Sequence, residues 1–268
     1  MVFSGFIKFN RLLIRHRYLI ISMAKREIAT QYVGSFLGFV WTFIKPLVMI
    51  SVFWFIFSVG FRSRPMGDIP FVVWLAAGMA PWFCFTDIVM NSTGAVVGAA
   101  ALVKKTLFPS QILPVIKLLS GLMTHAVFLT ILIGLLLFQG MPFSLKMLQF
   151  VYYLFCFSML ALGISWIVSA LHVFVRDVGQ IVAVFLQVGF WATAIFWDMN
   201  MMSPKIQMWL KLNPVYYVVQ GYRESFLTFV PFWHHGLYTL YFWLVTLCAL
   251  LGGAYVFRKL KPQFADVL

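Results

Sequence analysis

Apolar residues run along this chain in long, unbroken stretches. Six of them lie near 37–59, 70–102, 114–138, 147–171, 178–197 and 236–257. Each approaches or exceeds the roughly 20 residues that a helix needs to cross the hydrocarbon core of a bilayer. Polar breaks separate them: GFRSRPMGDI at 60–69, VKKTLFPSQIL at 103–113, a turn at 139–146 and a tight turn at 172–177. The run 70–102 exceeds one crossing, which predicts tilt or projection beyond the bilayer, with Pro81 as a kink. The start is different. Lys8, Arg11 and Arg15 recur at helical spacing while Phe6, Phe9 and Leu13 fall on another face, the pattern of a helix lying in the membrane interface. Ser22 is placed to cap a second short helix, with Ala24, Ile28 and Tyr32 on its apolar side.

Between the last two apolar runs, Ser203-Pro204 and Asn213-Pro214 each read as an N-cap followed by proline at the first helical position. They predict two short helices, the second over 214–228, neither apolar enough to span. Backbone breaks are not tolerated facing lipid, so both are expected to be re-entrant or interfacial and shielded by protein. The predicted fold is an all-α integral membrane protein of six transmembrane helices. Residues 1–35 form an amphipathic interfacial segment, 36–257 the membrane domain and 258–268 a tail.

Composition narrows the class. Of 268 residues 63% are hydrophobic and 10% charged, against about 25% charged in soluble domains. Six spans leave no room for an extramembrane catalytic domain. The formal charge of +13 would suggest nucleic acid in a soluble protein; beside membrane spans it reads as orientation and contact with anionic lipids, and no nucleic-acid partner is expected. With both termini in the cytoplasm, twelve Lys and Arg face the cytoplasm, six (Arg223 among them) face outward, and Lys45 and Lys117 lie within spans. That bias favours both termini inside. Cys84, Cys156 and Cys248 sit apart in apolar runs, with neither metal nor disulfide spacing. Basic residues interrupt the first twenty positions, so no signal peptide is read there.

No G-x-x-x-x-G-K-[ST] loop, H-E-x-x-H or G-x-S-x-G occurs, and no metal or catalytic site is expected. Among seven carboxylates only Asp87 approaches mid-membrane, as does the cation Lys45. Such sparse intramembrane charge argues against a proton-driven transporter. Lys45 is expected to snorkel, with a substrate-facing role as the alternative; Asp87 should face protein or water, with its partner unspecified. Gly34-x-x-x-Gly38 and Gly94-x-x-x-Gly98 are candidate close-approach sites; chance spacing accounts for both equally, and the first also suits a bend between the interfacial helix and the first span.

The run KREIATQYVGSFLGFVWTFIKPL at 25–47 resembles the entry segment of the membrane subunit of O-antigen-type polysaccharide ABC exporters, within the type-2 exporter group. LVKKTLFPSQILP at 102–114, FVRDVGQI at 174–181, LNPVYYVVQGYRESF at 212–226 and FRKLKPQFADVL at 257–268 resemble further segments of that family in the expected order. The resemblance implies a homodimer in the bacterial inner membrane, working with two copies of a separate P-loop ATPase that uses ATP and Mg. Its cargo would be a glycan linked to a polyprenyl diphosphate.

It also implies roles for residues. Segment 102–114 would be an ATPase-coupling helix, carried by Lys104, Lys105, Thr106, Leu107, Phe108 and Pro109; read from the residues alone, a plain inter-span loop fits equally well. Lys25 and Arg26 are the candidates for gating entry of the diphosphate, since ammonium and guanidinium groups pair well with phosphate oxygens; lipid anchoring is the plainer reading. Aromatics make up 19% of the chain. Their faces stack on sugar C–H surfaces without fixing a hydrogen-bond pattern, and Phe53, Trp54, Phe57, Phe190, Trp191 and Trp197 are the candidates for lining a glycan path. Alternatives are a type-2 exporter of teichoic acid, capsule, drug or lipid, a secondary transporter, or a membrane-embedded enzyme, for which His234-His235 is the one histidine pair.

Overall fold

A computed structural model describes residues 2–62, 69–105 and 108–268, with side chains for 9–62, 69–104 and 108–268. The described chain is helical, with no β-strand. α1 (Val2–Arg15) and α2 (Arg17–Gln31) meet at His16, so the expected break at Ser22 is not made: Ser22 lies inside α2 and caps nothing. The pair also packs on the rest of the chain. Phe9 meets Trp166 edge-on at 5.2 Å. α2 buries Ile20 and Ala24, and its Glu27 pairs with Lys117. Gly34 (φ +79°) and Gly38 (φ +49°) then turn the chain, using a left-handed backbone that a Cβ disfavours.

α3 (Trp41–Trp54) continues from a single tight turn, Gly38–Val40, and ends in a π-helical turn, Phe55–Gly60. α4 (Phe71–Thr93) stops at Gly94 and is followed by α5 (Ala95–Gly98) and α6 (Ala100–Lys105). The long run 70–102 is therefore one crossing followed by two short helices, not one tilted rod. α7 (Leu113–Phe138) and α8 (Phe150–Phe174) match the third and fourth apolar runs. α9 (Val178–Ala192), α10 (Pro204–Lys211), α11 (Pro214–Arg223), α12 (Gly236–Leu260) and α13 (Phe264–Val267) complete the chain. Asn213 caps α11 by accepting from the Val215 N–H at 3.0 Å; Ser203 makes no such bond to α10.

Five segments among the described residues are long and apolar enough to cross a membrane. The expected sixth, α9, has 15 residues, about 22 Å at 1.5 Å per residue, against the ~30 Å of a bilayer core. Packing shows where it goes. Trp243 donates to Tyr152 Oη at 3.0 Å, and farther along Gly163 meets Ala249 and Gly253. Both contacts advance in the same direction, so α8 and α12 run parallel and the chain must return between them. It does so over α9 and the turn after it, from Gly179 beside His172 to Phe196 beside Phe57, which in turn meets Phe71 at the start of α4. Both chain ends lie at one end of the bundle: Phe9 packs on Trp166, and Phe264 on Phe174 and Phe257.

The core sits around α4 and α8. Val73, Leu75, Ala76, Ala77, Met79 and Ala80 of α4 are wholly buried, because α7, α8, α9 and α11 all pack against this helix. A Cβ built on Gly163 would lie 2.7 Å from backbone atoms of Ala249 and Leu250, so glycine sets the α8–α12 approach. The pairs read from spacing do not do this: a Cβ on Gly34, Gly38, Gly94 or Gly98 meets nothing within 4 Å.

Candidate functional site

Where the far halves of α3 and α9 meet α4, aromatic rings collect. Phe53 of α3 and Phe57 of the π-helical turn that follows it stack with Phe196 at centroid distances of 5.9 and 4.9 Å. Phe190 lies 5.6 Å from Phe53 and 5.4 Å from Phe196, and Trp191 stands edge-on to Phe196 at 4.6 Å. Trp82 and Phe83 of α4 each approach Phe190 at 6.1 Å. Four of the six candidate aromatics are thus brought together. Trp197 joins at the edge, its indole N–H donating to the Trp191 carbonyl at 3.1 Å. Trp54 stands 40% exposed on another face of α3. The central ring, Phe196, was not among the candidates. It lies in the stretch that reads as the tail of a span, and only the turn after α9 swings it inward.

That turn is held by a buried cation. Ala194, two residues past the end of α9, adopts φ +51° and turns the chain. Arg223, 4% exposed, donates to the carbonyls of Ala194 at 3.1 Å and Ile195 at 2.6 Å. Its guanidinium carbon lies 3.5 Å from the Trp74 ring centroid, a cation–π contact that strengthens away from water. It fits because residue 78 is glycine: a Cβ there would stand 2.7 Å from its Nη2. Arg223, counted above among outward-facing cations, is therefore a buried strut. Asn213 adds a bond to Thr193 Oγ1 at 2.8 Å.

α11, which carries Arg223, is itself clamped. Tyr217 Oη lies 3.3 Å from Tyr152 Oη and 2.9 Å from Thr239 Oγ1, and Tyr222 Oη lies 2.9 Å from His125 Nε2. Of the two short helices only α11 is buried; α10 exposes Ile206, Met208 and Trp209. Glu224 is buried and meets His235 Nε2 at 2.9 Å and Gln220 at 3.2 Å. The histidine pair is thus split: His235 holds a carboxylate, while the two rings stand 6.5 Å apart and edge-on.

At the other end, Lys25 and Arg26 are exposed on α2. Of the coupling segment, Lys104 is exposed, and Phe108 is half-buried against the bundle's own core next to half-buried Pro109. Thr106 and Leu107 lie outside the described residues, as does the side chain of Lys105. The segment is gripped just after Pro109: Gln111 accepts from Trp166 Nε1 through its carbonyl at 3.2 Å and from Lys261 Nζ through its side chain at 3.1 Å. Sequence reading missed this link between loop and C-terminal tail. Lys45 leans toward Tyr32, its ammonium 5.7 Å from the ring centroid. Asp87 accepts from Asn91 at 2.8 Å and lies within electrostatic reach of Lys117 and Lys45. Among the described residues no three His, Cys, Asp or Glu side chains gather as metal ligands would.

Known proteins resemble this chain along most of its length. A family model described as "ABC-2 type transporter" matches residues 18–227. An O-antigen export system permease protein RfbA of Klebsiella pneumoniae is 25% identical over 252 residues, covering 93% of this chain and 95% of that protein. Its namesake in Myxococcus xanthus is 28% identical over 222 residues, 82% of this chain and 84% of the relative. The polysialic acid transport protein KpsM of Escherichia coli is 24% identical over 239 residues, 87% of this chain and 90% of the relative.

Proposed function

The chain belongs to the ABC-2 type transporter family, and from that premise we propose that it is the permease of an ATP-driven polysaccharide exporter. Its relatives include O-antigen export permeases and a polysialic acid transport protein, matched over 82–93% of this chain. We infer a homodimer, an inner-membrane location with both termini cytoplasmic, and a lipid-linked glycan as cargo, the O-antigen type being the first candidate. The observation that carries this reading is the aromatic face at the junction of α3 and α9, two apolar helices that each bury only one or two residues. Two copies apposed along that edge would enclose a path lined by Phe53, Phe57, Phe190 and Trp191. Rings offer the same face to every sugar, so a polymer can slide past without a fixed hydrogen-bond register.

The driving force would come from a separate P-loop ATPase, because this sequence has no phosphate-cradling loop. Lys104–Pro109 is its docking segment in this reading. The grip on Gln111 by Trp166 and Lys261 would pass a push on that loop to α8 and α12 together. The short α9, ended by the Arg223-held turn, would complete the sixth crossing.

Reconstitution tests it. Proteoliposomes holding this chain and its ATPase should move a labelled lipid-linked glycan when ATP is supplied, and should not when the chain or ATP is omitted. Preference for hydrophobic dyes over the glycan would assign a drug or lipid exporter instead, and transport abolished by collapsing the proton gradient with ATP present would assign a secondary transporter. Exchanging Lys104 and Lys105 for Glu should release the ATPase on copurification while leaving the permease folded; unchanged retention removes the coupling assignment.

A further inference from the structure

Between α2, α3, α4 and α7, toward the end that carries both termini, lies a cavity of about 360 Å³. A second of about 160 Å³ adjoins it, sharing Gln31, Asp87 and Thr124 in its wall. Together they fall in the range of ~300–1,000 Å³ typical of small-molecule sites. The larger chamber is mostly apolar, with a few polar groups converging on it. Lys45 faces it, and among the described residues no carboxylate lies within 4 Å of that ammonium. Asp87 faces it too, bonded to Asn91. Thr86 lines it, and its buried hydroxyl oxygen has no hydrogen-bond partner among the described residues. Tyr32 and Thr42 stand beside Lys45, joined by a bond of 3.0 Å.

Asp87 is half-buried and, like the exposed Lys45, has no direct partner of opposite charge among the described residues; an unpaired carboxylate so placed is costly, and a ligand carrying the complementary groups would satisfy both. The ammonium calls for an anion of phosphate type. The carboxylate, with the amide of Gln31 and the hydroxyl of Thr124, calls for a group rich in donors, which vicinal sugar hydroxyls supply. The deeper wall is apolar and includes Phe83. Phe83 is shared property: its other neighbour is Phe190, at 6.1 Å, within the aromatic face. Met49 on the cavity wall is one helical turn from Phe53.

Building on the function proposed above, we propose that this cavity is a staging site for the sugar–diphosphate head of the carrier lipid. Lys45 holds the phosphate and Asp87 orients the first sugar, and the glycan then passes by way of Phe83 to the aromatic face. The site is distinct from Lys25 and Arg26, which do not line it, and lies within one protomer.

The test uses the complete permease–ATPase complex in nanodiscs and two probes, a polyprenyl diphosphate bearing a labelled disaccharide and the same lipid without sugar. Lys45→Met should weaken both about tenfold or more, as expected for a lost charge-assisted bond, and Lys45→Arg should restore binding. Asp87→Asn, nearly isosteric, should weaken only the sugar-bearing probe, also about tenfold. Equal binding by wild type and both Lys45→Met and Asp87→Asn, in complexes that still export, overturns the staging site and leaves the exporter reading standing. Displacement of the probe by equimolar phosphatidylglycerol would assign the cavity to bulk lipid and also overturn it. A wild-type complex that neither binds nor exports the sugar-bearing probe refutes the exporter reading itself. Should Lys45→Met fail to fold, the two-probe comparison on Asp87→Asn decides alone.

Discussion

α3 and α4 are neighbours in sequence and near equals in hydropathy, yet they have opposite fates. In the most apolar window of the α4 segment, mean hydropathy 1.6, 78% of the residues are buried within the protein; in that of the α3 segment, mean hydropathy 1.9, only 6% are. The less apolar helix is the core. In water this would be a contradiction, since burial follows apolar surface. In lipid it is not, because tails are as apolar as leucine and no hydrophobic force presses helices together. Close approach and polar pairing choose the core. α4 brings Ala76, Ala77, Gly78 and Ala80, against which other helices close. α3 brings Pro46, a π-helical end and large side chains turned outward, such as Phe55 at 60% and Val48 at 52% exposed. The molecule is thus a tightly keyed scaffold of α4, α8, α11 and α12 with a loosely held edge of α3 and α9, and the candidate glycan path lies on the edge.

The contrast breaks first at Arg223. Arg223→Ala takes the donor from the Ala194 and Ile195 carbonyls in the turn after α9 and removes the Trp74 contact. A loss of about 3 kcal/mol or more follows, read as thermal unfolding in detergent; a variant as stable as wild type would show that the turn supports itself. Next is the helix crossing. Gly163→Val drives a side chain into the α12 backbone and should cost about 1–3 kcal/mol, whereas a scaffold able to spread would show none. On the edge the expectation reverses. Phe185→Ala, on a ring 73% exposed, should move protomer stability by no more than about 0.5 kcal/mol, while weakening self-association measured by crosslinking if two copies meet there. Smallest is Gly94→Ala. Gly94 has φ −86° and open space around it, so alanine should be neutral or stabilising by up to about 1 kcal/mol; a large loss would restore the close-approach reading of the 94/98 pair.

Much of the membrane topology was legible because it is local. The ends of the third, fourth and last apolar runs match helices to within a few residues, and the Asn-Pro start of α11 was read from two adjacent side chains. Errors arose where a local signal met a distant one. Ser22 has the chemistry of a cap, but α2 is carried past it by docking on α7 through Ala24 and the Glu27–Lys117 pair. The glycines at spacing of four face open space, while Gly163 and Gly253, 90 positions apart, form the true approach. Four ring candidates were found by composition and position; Phe196 was not, because its place depends on Arg223, 27 positions later.

Hydropathy sums the transfer of a segment from water to hydrocarbon, a property of that segment alone, so the sequence by itself determined that this chain lives in a bilayer and roughly where it enters and leaves. Which helix turns inward, where α9 ends and which groups enclose the cavity near Lys45 were decided only by the tertiary structure. Those choices rest on short-range packing and buried hydrogen bonds between residues far apart in the chain, and a reading taken one segment at a time contains no term for them.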